Sequence, residues 1–195
     1  MQQSKGVTTI EVLVVVGILA FLTGFIVTNQ VGYNANTYFS QASEDIVLAL
    51  REAQVYGAAG KKNDVAFCGV SNFECRYGVN FSMSTPNQFM VFVDNNDNKI
   101  YDAGTDTLVE AIMLKSPIVI SSVECLNYGG VDTVCSSLGG NTMLNITFKR
   151  PSPDAFINDT ADPAIDSYEL GRVTITNGIK TSTVAISKAG QISLQ

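Results

Sequence analysis

The sequence predicts an α+β protein in which a long N-terminal helix, membrane-spanning in its first half and amphipathic in its second, packs on an antiparallel β-sheet head. Three observations predict it. Residues 7–27, VTTIEVLVVVGILAFLTGFIV, are apolar apart from threonines, glycines and Glu11. Residues 37–57, TYFSQASEDIVLALREAQVYG, repeat apolar side chains at helical spacing. From residue 61 onward the pattern changes to short apolar runs punctuated by Gly, Asn, Asp and Pro. The division that follows is a helix over 7–57, with a transmembrane half at 7–28, and a β-rich head over 58–195.

The first apolar run has the length of a membrane span, since ~20 residues at ~1.5 Å each cross a ~30 Å hydrocarbon core. Lys5 stands just before it, and positive charge tends to stay in the cytoplasm. The expected orientation is N-terminus inside, with residues after Thr28 exported. A cleaved secretory signal would carry an apolar region of roughly 7–15 residues and a small-x-small site. This run is longer, and the following TNQVGYNANTYF offers no convincing site. Residues 12–27 carry no charge, so Glu11 is a lone acid at the edge of the span. At a bilayer centre it would cost about 2.5–3.5 kcal/mol, less near the interface. A plain anchor gives no reason to keep it.

Before Pro86 there is no proline to break the helix. Phe39, Ala42, Ile46, Ala49, Leu50 and Ala53 fall on one face, and Glu44, Asp45, Arg51 and Glu52 mark a wetter side. The reading is one helix over 7–56, ~75 Å long at ~1.5 Å per residue. Gly57 and Gly60 serve as stop signals, and Gly32 with residues 34–36 is the place where it could loosen. In the head, strands are expected at 64–70, 75–81, 88–93, 107–114, 118–124, 142–149, 172–176, 182–187 and 191–194. Asn177-Gly178 is a hairpin signal, although its flanks allow a longer loop. About 135 residues suffice to bury a core of their own.

Composition narrows function. The chain is 46% hydrophobic and 15% charged, which is not a disordered composition. With 12 basic and 18 acidic residues the net charge is -6, and no basic stripe is present. Nucleic-acid binding and polybasic lipid recognition are therefore not expected. The chain has no histidine, which removes the commonest general base and most zinc sites. No catalytic constellation stands out, and no enzyme activity is expected. The four cysteines form two local pairs, Cys68 with Cys75 and Cys125 with Cys135. Two short-loop disulfides in an oxidising compartment are the better reading, with four buried thiols as the alternative.

The stretch KGVTTIE, followed by an uncharged run, resembles the class III leader of type IV pilins and type II secretion pseudopilins. The resemblance implies a leader over residues 1–6, cleavage between Gly6 and Val7 by a prepilin peptidase, and methylation of the new amine on Val7. It makes Glu11 the fifth mature residue and an assembly residue. Its carboxylate would neutralise a chain-start amine in the fibre centre, where an unpaired charge is far costlier than a pair. Two positions depart from the family pattern: Val7 stands where phenylalanine is usual, and Thr28 where many members carry proline. The head segments FMVFVDNNDNKIYDAGTDTLVEAIML and GRVTITNGIKTSTVAISKAGQISL resemble the H-type pseudopilins and the minor pilins sharing that domain. The resemblance implies a pilin-like fold and a structural subunit of a type IV pilus or a type II secretion pseudopilus, a minor pilin or pseudopilin being favoured. Its implied partners are other such subunits, the peptidase, an assembly platform and an ATPase. The expected location is the inner membrane as a single-pass precursor, then a periplasmic or extracellular filament. The alternative is a membrane-anchored extracellular binding module or adhesin that never polymerises.

One loop offers a place for a cofactor. In DNNDNKIYD, residues 94–102, Asp94, Asn96, Asn98, the carbonyl of Ile100 and Asp102 occupy positions 1, 3, 5, 7 and 9 of a calcium loop. Lys99 stands where glycine normally permits the turn, and Thr105 where a glutamate normally closes the site. An ion-free Asn/Asp-rich turn is the competing and more frequent outcome. Residues 149–169 read as an acidic, proline-broken, solvated connection. Asn145 and Asn158 lie in glycosylation sequons.

Overall fold

The structure, a computed structural model, describes residues 6–62, 68, 73–127, 132–135, 142–159 and 168–195. Residues 1–5 of the expected leader, and the strand expected at 64–70 apart from Cys68, lie outside the described residues. The architecture is α+β. Among the described residues one helix, α1 (Thr9–Ala59), precedes ten strands: β1 (Arg76–Ser82), β2 (Gln88–Asp94), β3 (Thr107–Met113), β4 (Val119–Leu126), β5 (Asp132–Val134), β6 (Met143–Phe148), β7 (Ala155–Asn158), β8 (Leu170–Thr176), β9 (Thr181–Ser187) and β10 (Ile192–Leu194). The chain divides into two compact units, Met1–Ser40 and Gln41–Gln195.

The first unit is dominated by the opening of α1. Thr9–Ile26 is long and apolar enough to anchor the chain in a membrane, and none of it is buried. The helix starts at Thr9, because Thr8 caps it: the Glu11 N–H reaches the Thr8 carbonyl at 3.1 Å and Thr8 Oγ1 at 3.4 Å. Threonine at the cap with glutamate three residues later is the capping-box pattern. The backbone stays helical through Gly32 and residues 34–36.

In the second unit the helix buries the face that its periodicity marks. Ala42, Ile46, Ala49, Leu50 and Ala53 are buried, as is Phe39 just before them. The helix passes through Gly57 and ends at Ala59. Gly60 takes φ 65°, its N–H meets the Gly57 carbonyl at 3.2 Å, and the Lys61 N–H meets the Tyr56 carbonyl at 2.9 Å. This is the Schellman arrangement, in which a left-handed glycine closes the last turn. Gly57 is therefore not a stop. A Cβ there would sit 2.4 Å from the Phe148 carbonyl oxygen, so the glycine marks a close approach of α1 to β6.

The strands form two antiparallel five-stranded sheets rather than one. Their orders are β3-β2-β1-β6-β7 and β10-β9-β8-β4-β5. The chain leaves the first sheet after β3, returns at β6, and leaves again after β7. Pro117 lies at the first crossing and Pro151 and Pro153 lie between β6 and β7, where no ladder donor is needed. Two strands lie where sequence reasoning placed none. β7 falls inside the expected solvated connection, where Ala155 and Ile157 are buried beside β6. β5 pairs with β4 next to the Cys125–Cys135 disulfide. Both runs are only three or four residues long, too short to show a period. The second disulfide is Cys68–Cys75.

In β8 burial alternates residue by residue, as expected when one sheet face is covered. In β1 all seven residues are buried. Tyr77, Val79 and Phe81 form one face with their register partners Val93, Val91, Phe89, Phe148, Ile146 and Leu144. On the opposite face lie Arg76, Gly78, Asn80 and Ser82. That polar face is buried because the loop 95–106 folds back over it: Tyr101 packs edge-on against Phe92 at 5.2 Å, and its N–H donates to Asn145 Oδ1 at 3.1 Å. Asn145 is fully buried and Asn158 nearly so, which leaves neither sequon side chain open to a glycan.

Candidate functional site

The residues that the sequence singles out fall into two groups. The first is the start of α1. Gly6 and Val7 precede the helix and are exposed. Glu11 lies in the first helical turn, where its charge suits the partial positive charge of the N-terminus. Eleven of the side chains that follow it, from Val12 to Ile26, are large, hydrophobic and exposed.

The second group is the loop after β2. Asp94 ends that strand and is fully buried. Its carboxylate accepts the N–H of Asn98 at 3.2 Å and of Lys99 at 2.7 Å, and Arg76 Nε stands 3.7 Å away. Two nested side-chain turns follow. Asn96 Oδ1 accepts the Asn98 N–H at 3.2 Å, and Asn98 Oδ1 accepts the Ile100 N–H at 3.0 Å. These bonds draw the chain into left-handed geometry at Asp97 (φ 60°) and Lys99 (φ 71°). Lys99 thus makes the turn that glycine makes elsewhere, at the steric cost of a side chain. Asp102 Oδ2 accepts the amide groups of both Asn96 and Asn98. Four of the five expected ligand residues therefore share this turn through side-chain bonds, and Ile100 joins it by its N–H. Among the described residues, no group of three or more His, Cys, Asp or Glu side chains gathers to hold a metal.

Sequence reasoning missed the anchors of this loop. Asp97 Oδ1 accepts from Arg76 Nε at 3.0 Å, and Asp97 Oδ2 lies 2.7 Å from Lys149 Nζ. The Arg76 guanidinium also lies over the Phe156 ring at 4.3 Å. The available signal was the alternation of polar residues along β1 and β6, which placed Arg76, Asn80, Asn145 and Thr147 on one face.

No family model matches this chain, and no curated protein or solved structure matches it either. The site must therefore be read from its own chemistry.

That chemistry includes two opposed titrations. Burial pushes the Asp94 carboxyl up to about 6 from 3.8, against the lowering effect of the Lys99 N–H and of Arg76. Asp106 is also raised, again chiefly by burial. Asp97 is lowered despite its burial, because Lys149 and Arg76 stabilise its charge. A raised carboxyl favours the fold when protonated: the contribution is complete below 3.8 and lost as pH rises through about 6. A lowered carboxyl acts oppositely, contributing above its ordinary range and losing the contribution at more acid pH. From about pH 7 down to about pH 5 the contribution of Asp94 dominates, worth on the order of 1 kcal/mol. The head should melt at higher temperature at the lower pH, and Asp94→Asn should flatten that slope in a thermal scan.

Proposed function

We propose that this chain is a pilin-like structural subunit, made as a membrane precursor, cut between Gly6 and Val7 by a prepilin peptidase, and assembled into a type IV pilus or a type II secretion pseudopilus as a minor pilin or pseudopilin. The observation that carries the reading is Thr9–Ile26: an apolar helical run with no cover of its own, opened by a single acid and joined to a disulfide-bonded α+β head. Such a run has two ways to escape water, namely lipid or the same run in neighbouring copies. Transfer between them gains little hydrophobic energy, because lipid is already apolar. Polar register contacts must then choose the packing, and Glu11 is the acid that can supply one. The exposed, non-helical Gly6–Val7 bond suits cleavage. The two disulfides suit an exported head. Subunits of the same or related kind, an assembly platform and an ATPase are the partners this reading requires.

Intact-mass measurement on purified membranes tests it. Loss of residues 1–6 with one added methyl on Val7 is the expected product. A mature chain that keeps those six residues overturns the reading and favours a tethered, non-polymerising binding module.

Calcium belongs to the same proposal as a stiffener of the loop 94–102. Asp94, Asn96, Asn98, Asp102 and the Ile100 carbonyl would hold it. What supports it is the turn: its left-handed geometry at Lys99 is made, and Asp102 meets the Asn96 and Asn98 amides, whose oxygens would have to leave their backbone N–H partners to face the ion. The ion would supply charge neutralisation and rigidity, and no catalysis. At ligand concentrations near 100 Kd a bound ion stabilises by about 2.7 kcal/mol. The melting temperature should therefore be several degrees higher in millimolar calcium than in chelator, and Asp94→Asn should abolish the difference.

A further inference from the structure

The outer face of the first sheet carries a cleft of about 320 Å³ between the loop 95–106 and the β1–β2 turn. Its floor is Asn80, flanked by Met90 on β2 and Met143 on β6, and its walls are Tyr101 and Asp102 on one side and Thr85 on the other. Asn80 is 1% exposed. Its amide nitrogen donates to Asn145 Oδ1 at 2.7 Å, and its Oδ1 has no hydrogen-bond partner among the described residues. The same nitrogen meets Met143 Sδ at 3.9 Å, so the oxygen turns away from β6 toward the β2 side, where Met90 lines the cleft.

We infer that this cleft binds an alkylammonium group, its charge held by Asp102 and Asn80 Oδ1 and its carbon chain by the two methionines and the Tyr101 ring. The balance of donors and acceptors argues for it. A buried amide oxygen left without a donor costs about 1–3 kcal/mol, and a ligand that brings a hydrogen recovers it. Asp102 accepts the Asn96 and Asn98 amides on Oδ2 alone, leaving Oδ1 to accept. Among the described residues no lysine or arginine lines the cleft, so an anionic ligand would meet a carboxylate there. Thioethers are polarizable and unbranched, and they part to admit a flexible chain. The inference does not rest on filament assembly.

The test is a titration of the full chain in detergent micelles, calcium-free, followed by the methyl signals of Met90 and Met143. n-Butylammonium should shift both signals saturably, with a Kd of about 1–10 mM. n-Butanol at equal ionic strength should bind at least about tenfold more weakly, as should n-butylammonium to Asp102→Asn. Ala103→Trp, a change at an exposed position on the rim, should abolish the shifts without touching the floor. Equal response to butanol, persistence in Ala103→Trp, or no saturable shift overturns the inference. A blocked lysine, Nα-acetyl-lysine methylamide, distinguishes the sources: binding like butylammonium assigns the site to side chains of a polypeptide, and failure to bind assigns it to free amines.

Discussion

With assembly as proposed, Glu11→Val should leave membrane insertion intact and reduce filament yield by at least about a hundredfold. Removing one partner of a buried ion pair costs about 3–5 kcal/mol, because the remaining charge is left unpaired in an apolar medium. Per subunit contact this exceeds the factor of ten that ~1.4 kcal/mol represents. Insertion should survive, since valine only increases the apolar character of Thr9–Ile26. The capping-box pattern offers the same side chain a second role, since a glutamate three residues after the cap can reach back to the cap's own N–H, here that of Thr8. Glu11→Gln separates the two roles. Glutamine serves at that position of a capping box, and a lost cap costs typically ~1 kcal/mol. Charge pairing predicts that Gln assembles as poorly as Val; a cap alone predicts near-normal assembly for Gln. Fractionation for insertion and negative-stain counting of filaments provide the two readouts, and filaments of normal yield in both variants would sink the pairing role.

Gly57→Ala should destabilise the head by roughly 2–4 kcal/mol, although alanine is favoured over glycine in a helix interior by about 1 kcal/mol. The new methyl would lie 2.4 Å from the Phe148 carbonyl oxygen and 2.7 Å from its carbon, closer than atoms can approach. Both are backbone atoms of the last residue of β6, which is paired with β1 on one side and β7 on the other, and Phe148 is fully buried. No flexible side chain can move aside, so the helix must shift off β6 and loosen Ala53 and Leu50 with it. Gly17→Ala is the control: no described residue lies within 4 Å of a Cβ there, so the head should be unaffected. Urea unfolding followed by far-ultraviolet circular dichroism measures the difference.

Gly57 also shows where reading a sequence runs short. Glycine near the end of a helical pattern signals a stop, and three residues later Gly60 performs that role through its positive φ. The two glycines look alike in sequence because the requirement at Gly57 comes from a strand some ninety positions away. The loop 94–102 divides in the same way. Its turn chemistry is local: Asn96 and Asn98 bond their own backbone two residues on, so the turn was legible. Its anchors were not, since Arg76 and Lys149 reach Asp97 only after β1 and β6 pair.

What the sequence determined by itself is whatever depends on near neighbours. The apolar run, the buried stripe of the amphipathic helix, eight of the strands, both cysteine pairings and the turn residues follow from period, length and spacing. The tertiary structure decided the division into two sheets, the short strands β5 and β7, and the burial of a polar sheet face beneath a loop. It also decided which acid titrates high. These depend on contacts between residues far apart in the chain, where burial and unmet hydrogen bonds set the energy, and no local pattern records which distant segment will cover a given face.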